Sequence, residues 1–517
     1  MEKLLDAAGT LYNEGRESSA AEISAAACRR NPSEFQRLVK DAARRGNTTL
    51  TWLGMRQLSG ALPQAESKEI ITEVWDLFLN GTRSRDALVD PLFVQIRLLR
   101  IAAGHVLAGP QHKGPDLAYV LALSLPQDTT GYAHRSHAVI RALDAIGVTT
   151  QCFTRPGFPW DRGIKEVPGE NIVDGITYHR TGNQAHRHPV TVDDFLNCEE
   201  ALFQSLRESG PGSVMAASSY ATAIPALFAA KRLGLPFIYE VRGFWELSRA
   251  TRDHAYRDSL QFCQERALED CVAAASDLVF TLNNSMRDEL ASRGVPKDRI
   301  GILPNAADLS RLRVLPKDAD LKSWLRIPDH TPVIGYVGSF TVYEGLDDLI
   351  IACGELARAG IDFALVIAGW DPRGENHIGP ALINLAKSAG VYDRLIMLGH
   401  VSQEEVPALY SVIDIAPIPR KDLPVTRLVS PLKPVEAMAM GKAVVVSDLP
   451  PLLEIIGGPD SGCAFPAGDP VALSSALATL CIDAERRTRM GRAARERVES
   501  VYSWRENALA FWKKVAS

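Results

Sequence analysis

After residue 116 the chain alternates short apolar runs with helical stretches, and it does so twice over. In the first series 117–125, 148–154, 175–180, 213–217, 236–241, 277–282 and 299–303 read as strands, with helices at 133–143, 221–233, 268–275 and 285–293. In the second, strands at 333–337, 363–368, 395–398, 413–417 and 442–446 alternate with helices at 346–359, 378–389, 404–411 and 431–440. Near-continuous apolar strands separated by helices imply parallel sheets covered on both faces. The reading is therefore α/β: two consecutive doubly wound domains with a junction near 306–330. Ligands of such sheets bind at the carboxyl ends of the strands, and two such edges facing each other would make a cleft.

Residues 1–105 carry helical signals alone. Ser19-Ala20-Ala21-Glu22 has the form of a capping box, Asn31-Pro32 reads as a stop, Ser33 as a restart and Gly46 as a further stop. Residues 69–78 place apolar side chains at helical spacing and end near Gly81. A small helical bundle is expected, as a part that could meet a protein partner or a second copy. The alternative is an amphipathic membrane-surface helix over 93–101, supported by Arg97 and Arg100. Residues 106–116, with two Gly and two Pro, read as a linker.

Composition narrows the function. A length of 517 residues suits about three domains, or two large ones. Lys plus Arg is 57 against 62 Asp plus Glu, a net charge of −5, so there is no global field to hold a nucleic-acid backbone. Eight Cys, none in Cys-x-x-Cys, exclude a disulfide scaffold, a zinc ribbon and a thioredoxin motif, and fit a reducing compartment. No apolar run reaches the roughly 18 residues that span a bilayer, and Met1–Asp6 lacks the layout of a secretion signal. A cytoplasmic protein is expected, with the inner face of the membrane as a place it could work.

The stretch from Ser430 to Val446 carries the most chemistry. Ser430 is a favourable N-cap and Pro431 a favourable first helical residue. The backbone N–H groups of Leu432 and Lys433 would then point at whatever lies above the helix start, an arrangement that attracts phosphate, and the Lys433 ammonium adds to it. Glu436, one turn on, could accept two hydroxyl hydrogen bonds, as from a ribose. The same residues also suit a well-capped core helix. Gly131, between a strand and a helix, would let a bound group approach the backbone, and serves equally as a turn glycine. Arg135 would face phosphate or solvent. Arg242 follows the strand at 236–241, where ligand contacts are expected, or pairs with Glu240 or Glu246. Trp245 would stack on a sugar ring or be buried. His400 follows the strand at 395–398.

Ser430-Pro431-Leu432-Lys433-Pro434-Val435-Glu436-Ala437-Met438-Ala439-Met440-Gly441-Lys442 resembles the donor-site helix of the family-4 retaining glycosyltransferases, which have the GT-B fold. Thr130-Gly131-Tyr132-Ala133-His134-Arg135-Ser136-His137 is similar to the glycine loop of that family's first domain. The loops at 154–161 and 239–246 resemble those of one subgroup, and Pro304-Asn305-Ala306-Ala307-Asp308 resembles the family's Pro-Asn-Gly-x-Asp. Tyr336-Val337-Gly338-Ser339-Phe340-Thr341-Val342-Tyr343-Glu344-Gly345-Leu346 looks like the loop opening the second domain. The resemblance covers about 117–515 and leaves 1–105 outside it.

The resemblance implies two Rossmann-like domains, an acceptor domain at 117–310 and a donor domain at 320–500, with a helix at 503–517 returning to the first. It implies retaining transfer of a sugar from a nucleotide-diphosphate sugar to a carbohydrate, glycolipid or other hydroxyl acceptor, in polysaccharide or glycoconjugate synthesis, without metal or other cofactor. Carried over residue by residue, Lys433, Glu436 and Arg242 are catalytic. Gly131, Arg135, Gly338, Ser339, His400, Val401, Arg427, Ser430, Pro431 and Leu432 bind the donor. Tyr132, Trp245 and Glu246 bind the acceptor.

There are three departures from the pattern. The first of two acids that the family spaces by seven residues is Leu428, beside Arg427. Ser339 and Glu344 stand where many members have Arg and Lys, and Arg242-Gly243 stands where many have His-Asp. Neutralising a diphosphate would fall to Lys433, Arg427 and helix N-termini. These departures motivate the alternative of a non-catalytic assembly subunit. Asp318-Ala319-Asp320 reads as a helix cap rather than a metal motif. No Gly-x-Gly-x-x-Gly follows a strand, which speaks against a dinucleotide oxidoreductase, and zinc-peptidase and serine-hydrolase motifs are absent.

Overall fold

A computed structural model describes residues 1–82, 89–103, 114–370, 378–402 and 404–517. The chain divides into two compact units. One is Met1–Val241 with Ser259–Phe280 and Arg293–Arg299; the other is Arg242–Asp258 with Thr281–Ser292 and Ile300–Ser517.

The first unit opens with six helices, Glu2–Asn13, Glu17–Arg30, Pro32–Arg44, Thr48–Ala61, Gln64–Thr82 and Pro91–Ala103. Asn31 ends the second and caps the third, its side-chain oxygen accepting from the Glu34 N–H at 3.1 Å. Pro32 then fits the first helical turn, so the restart falls one residue before Ser33. The expected capping box at Ser19–Glu22 does not form, because the helix has already begun at Glu17. The stretch 93–101 is not a membrane-surface face. Phe93, Val94, Ile96 and Ile101 are buried, and the Phe93 ring packs on Trp75 at 5.9 Å and Phe228 at 6.3 Å. Of the expected linker, residues 106–113 lie outside the described residues.

Eight strands follow: β1 (Leu117–Leu121), β2 (Thr150–Thr154), β3 (Glu170–Val173), β4 (Ile176–His179), β5 (Ser213–Ala217), β6 (Phe237–Val241), β7 (Leu278–Thr281) and β8 (Ile300–Ile302). Their order is β3-β4-β2-β1-β5-β6-β7-β8. β1 pairs parallel with β2 and with β5, and β3 pairs antiparallel with β4. β3 escaped the sequence reading. Its signal is the Asp174-Gly175 turn, whose φ values of 48° and 81° suit a two-residue hairpin. The helix Val192–Ser209 was also unread, although Thr191 and Asp194 form a capping box there.

The second sheet has six strands, β9 (Val333–Val337), β10 (Ala364–Ala368), β11 (Leu395–Gly399), β12 (Ile415–Ile418), β13 (Ala443–Ser447) and β14 (Cys463–Phe465), in the order β11-β10-β9-β12-β13-β14. All its pairings are parallel. Alternate residues point to opposite faces. Val333, Val366, Ala416 and Val444 therefore enter one core, and Ile334, Leu365, Ile415 and Val445 the other. With both faces buried, polar groups gather at the strand ends. β9 has β10 on one side and β12 on the other, so the connections diverge there; in open α/β sheets that switch point marks the ligand crevice. In the first sheet β1, between β2 and β5, holds the equivalent place. Asp318 caps the helix Ala319–Trp324 as expected, accepting from the Leu321 N–H at 2.9 Å. The last helix is Trp504–Val515.

Candidate functional site

The loops leaving β9 and β12 bring Glu344 and Arg420 together, and Lys433 joins them from the helix Lys433–Ala439. β9 ends at Val337, and Gly338 follows with φ 149°. A Cβ built there would lie 2.1 Å from Lys433 Cε, so the lysine stem crosses the bare glycine backbone. The Lys433 ammonium sits 3.1 Å from Glu344 Oε1 and 5.6 Å from the Tyr336 ring centroid. Arg420, two residues past β12, donates to the same Glu344 oxygen at 3.1 Å and to the Val429 carbonyl at 2.9 Å. The side chains of Glu344 and Arg420 are 3% and 8% exposed. Burial pushes the Glu344 pKa up, but Arg420 and Lys433 outweigh it and bring the carboxyl down to about 2. The sequence reading missed Arg420. The rule that singled out Arg242, a cation just past an apolar strand, applies equally to Pro419-Arg420.

The expected helix start is corrected in detail. Ser430 is not the N-cap. The helix is Lys433–Ala439, Leu432 precedes it, and Pro434 rather than Pro431 occupies its first turn. Ser430 is engaged elsewhere: Asn283 donates to its hydroxyl at 2.6 Å and to the Leu428 carbonyl at 2.8 Å, and Asn305 donates to its carbonyl at 3.0 Å. Asn283, Asn305 and Ser430 border a small cavity also lined by Val435, Glu454 and Tyr502. Glu436 stays on the same helix as Lys433, mostly buried, with Arg311 at 3.9 Å. Burial raises its pKa, against the pull of Arg311 and Lys433.

The other expected site residues are placed as follows. Ser339 accepts a hydrogen bond from Tyr336 on its carbonyl at 3.0 Å. His400 is exposed beyond β11, its ring 4.2 Å from that of Trp370, and Val401 packs against the core. Arg427 is turned to solvent and bound through two nitrogens to Asp422. Arg242 and Glu246 are buried, while Trp245 is 46% exposed at the start of the helix Trp245–Ala250. The neighbouring Gly243 approaches Val429, to 4.0 Å from where a Cβ would stand. In the first unit Gly131 opens the helix Gly131–Asp144, with ordinary φ and nothing within 4 Å of a built Cβ. The Tyr132 hydroxyl accepts from the Ala122 N–H at 3.0 Å. Arg135 points inward and pairs with the buried Glu240 at 2.8 Å, which also accepts from the Tyr119 hydroxyl. Among the described residues no three His, Cys, Asp or Glu side chains are grouped to hold a metal, and no helix is long and apolar enough to cross a membrane.

Residues 130–306 match the family described as glycosyl transferase 4-like domain, and residues 318–497 match glycosyl transferases group 1. The two matches follow one another along the chain, and both descriptions are of glycosyltransferases. The fold is GT-B. Sucrose-phosphate synthase from Thermosynechococcus elongatus superposes with a TM-score of 0.62 at 18% identity, over 78% of this chain and 98% of that one. Anabaena HepE in complex with UDP and glucose superposes with a TM-score of 0.60 at 14% identity, over 77% of this chain and 99% of that one.

Among curated relatives, the D-inositol 3-phosphate glycosyltransferase of Corynebacterium efficiens is 27% identical over 50% of this chain and 60% of its own length. The GDP-mannose-dependent alpha-(1-6)-phosphatidylinositol monomannoside mannosyltransferase of Mycobacterium tuberculosis is 27% identical over 45% of this chain and 60% of its own. The matched region thus spans about 60% of the length of these relatives.

Proposed function

We propose that the chain transfers a sugar, with retention of anomeric configuration, from a nucleoside-diphosphate sugar to the hydroxyl of a carbohydrate or glycolipid, in polysaccharide or glycoconjugate assembly. The observation that carries the reading is Lys433 lying across the bare backbone of Gly338 at the sheet's switch point, with Glu436 one turn behind it. A diphosphate there would meet Lys433, with Arg420 adding charge from deeper in the crevice, and the ribose would meet Glu436. The UDP seen in HepE and the GDP-mannose named for the mycobacterial relative support a nucleotide donor without fixing its base.

In this mechanism the acceptor hydroxyl attacks the anomeric carbon from the face the diphosphate leaves. The C–O bond to the sugar forms as the C–O bond to phosphate breaks, and a diphosphate oxygen takes the hydroxyl proton. The protein orients the two reactants and stabilises charge on the leaving group, so it needs no nucleophile of its own and no metal. In this reading Tyr132, Trp245 and Glu246 are assigned to the acceptor, Gly131 to the donor and Arg242 to the transfer itself.

The test is nucleotide release from UDP-glucose, GDP-mannose and ADP-glucose, with and without EDTA. Lys433→Ala and Glu436→Ala should each cut turnover by about 10²-fold or more, and EDTA should change nothing. Variants that fold and turn over as the wild type does would refute the assigned roles. A second reading, an assembly subunit that keeps the fold without catalysis, draws on Leu428 in place of an acid. It predicts no release from any donor.

A further inference from the structure

We propose that Glu344 is a resident counter-ion of the diphosphate seat, there to weaken the hold on the leaving nucleotide so that it can depart. The inference rests on the donor-site reading above.

Glu344 stands where two cations converge. Arg420 and Lys433 each approach the same carboxylate oxygen at 3.1 Å, so the three side chains carry one net positive charge between them. Burying a carboxylate costs free energy unless it is paired, and this one is paired twice. It is held ionised, its carboxyl brought down to about 2. The same position filled by a neutral side chain would leave two buried cations facing any diphosphate. Tight binding of donor and product alike lowers the donor concentration needed without speeding turnover, and it slows product release.

The acid is carried on a fixed backbone. It ends the short turn of helix Val342–Glu344, and Gly345 follows with φ 69°. A Cβ at Gly345 would lie 1.8 Å from the Pro419 carbonyl oxygen, so the two loops meet backbone to backbone. Arg420 is fixed as well, by the Val429 carbonyl at 2.9 Å. Lys433 is the most exposed of the three, 15% against 8% for Arg420 and 3% for Glu344, and so has the most room to follow a ligand. The negative charge therefore stays within a few ångströms of any bound phosphate.

The experiment is calorimetric binding of inorganic pyrophosphate, UDP, GDP and ADP to the full chain. The variants are Glu344→Gln, Lys433→Gln and the double substitution Glu344→Gln/Lys433→Gln. Removing one charge at this range in a partly buried site should tighten the best of the four ligands about tenfold in Glu344→Gln. The gain should shrink as salt is raised from about 0.05 to about 0.5 M, over which the Debye length falls roughly threefold, a mark of charge rather than shape. Lys433→Gln should weaken binding, and adding Glu344→Gln to it should restore about the same tenfold. The double variant has the wild-type net charge, so it keeps the test open should the single one fail to fold. Unchanged or weaker binding on removing the acid, in either background, overturns the counter-ion and leaves the donor site standing. Absence of wild-type binding to all four ligands overturns both.

Discussion

Gly338→Ala tests the site where its geometry is tightest. At φ 149° a side chain strains the backbone by about 1–3 kcal/mol. The new Cβ would stand 2.1 Å from Lys433 Cε and 2.9 Å from Cδ. Ordinary carbon contact begins near ~3.5 Å, so the lysine stem must retreat by more than an ångström. Its ammonium then leaves the 3.1 Å contact with Glu344, while Arg420 keeps that acid paired. We expect a loss of stability of about 2 kcal/mol, read as a melting shift of roughly 5 °C for a unit of this size. Donor turnover should fall by about 10²-fold, the scale set by misplacing a reacting or stabilising group by 1 Å. The assay is nucleotide release from the donor panel beside a thermal melt. A variant that melts lower yet turns over as the wild type does would show that Lys433 need not lie across residue 338. One unchanged in both would refute the geometry itself.

Gly131→Ala offers the contrast: its φ is ordinary and its Cβ would meet nothing within 4 Å, so the melt should not drop, and a raised KM would report a ligand approaching that backbone. Gly335→Ala should destabilise by about 1–3 kcal/mol in a denaturant titration, because its Cβ would press to 2.3 Å from Ile413 Cγ1 in the closed core. The Glu344 carboxyl lies below its ordinary 4.5, at about 2, when folded, so its contribution is present above pH 4.5 and lost as pH falls toward 2. The stability advantage of the wild type over Glu344→Gln should therefore be flat from neutral pH down to about 5 and narrow below that; an advantage constant down to pH 2.5 would contradict the pairing.

The strand–helix alternation made the two sheets legible, because parallel strands buried on both faces leave uninterrupted apolar runs. β5 (Ser213–Ala217) and β9 (Val333–Val337) fall at the expected residues. β3 did not show, since its side chains alternate between exposed and half-buried and only the Asp174-Gly175 turn betrays it. At the site, Lys433 and Glu436 were readable because both lie on one short helix. Arg420 could have been read as a cation just past a strand, but its partnership with Glu344 could not, because it joins residues 76 positions apart, a closeness made by β9 and β12 lying side by side. The Ser430 cap failed for a like reason: Asn283, far off in the chain, takes the hydroxyl that local rules assign to the helix.

Those amide tethers have a bearing on how the chain can be cut or built. The stretch from Leu428 to Ser430 is moored by Asn283 and Asn305, and both precede the 318–497 region that the group 1 description matches. A fragment trimmed to that region would keep its sheet but lose both moorings, and swapping the region between relatives would mate one protein's asparagines with another's loop. The module that carries Lys433 therefore draws on residues from the 130–306 stretch as well.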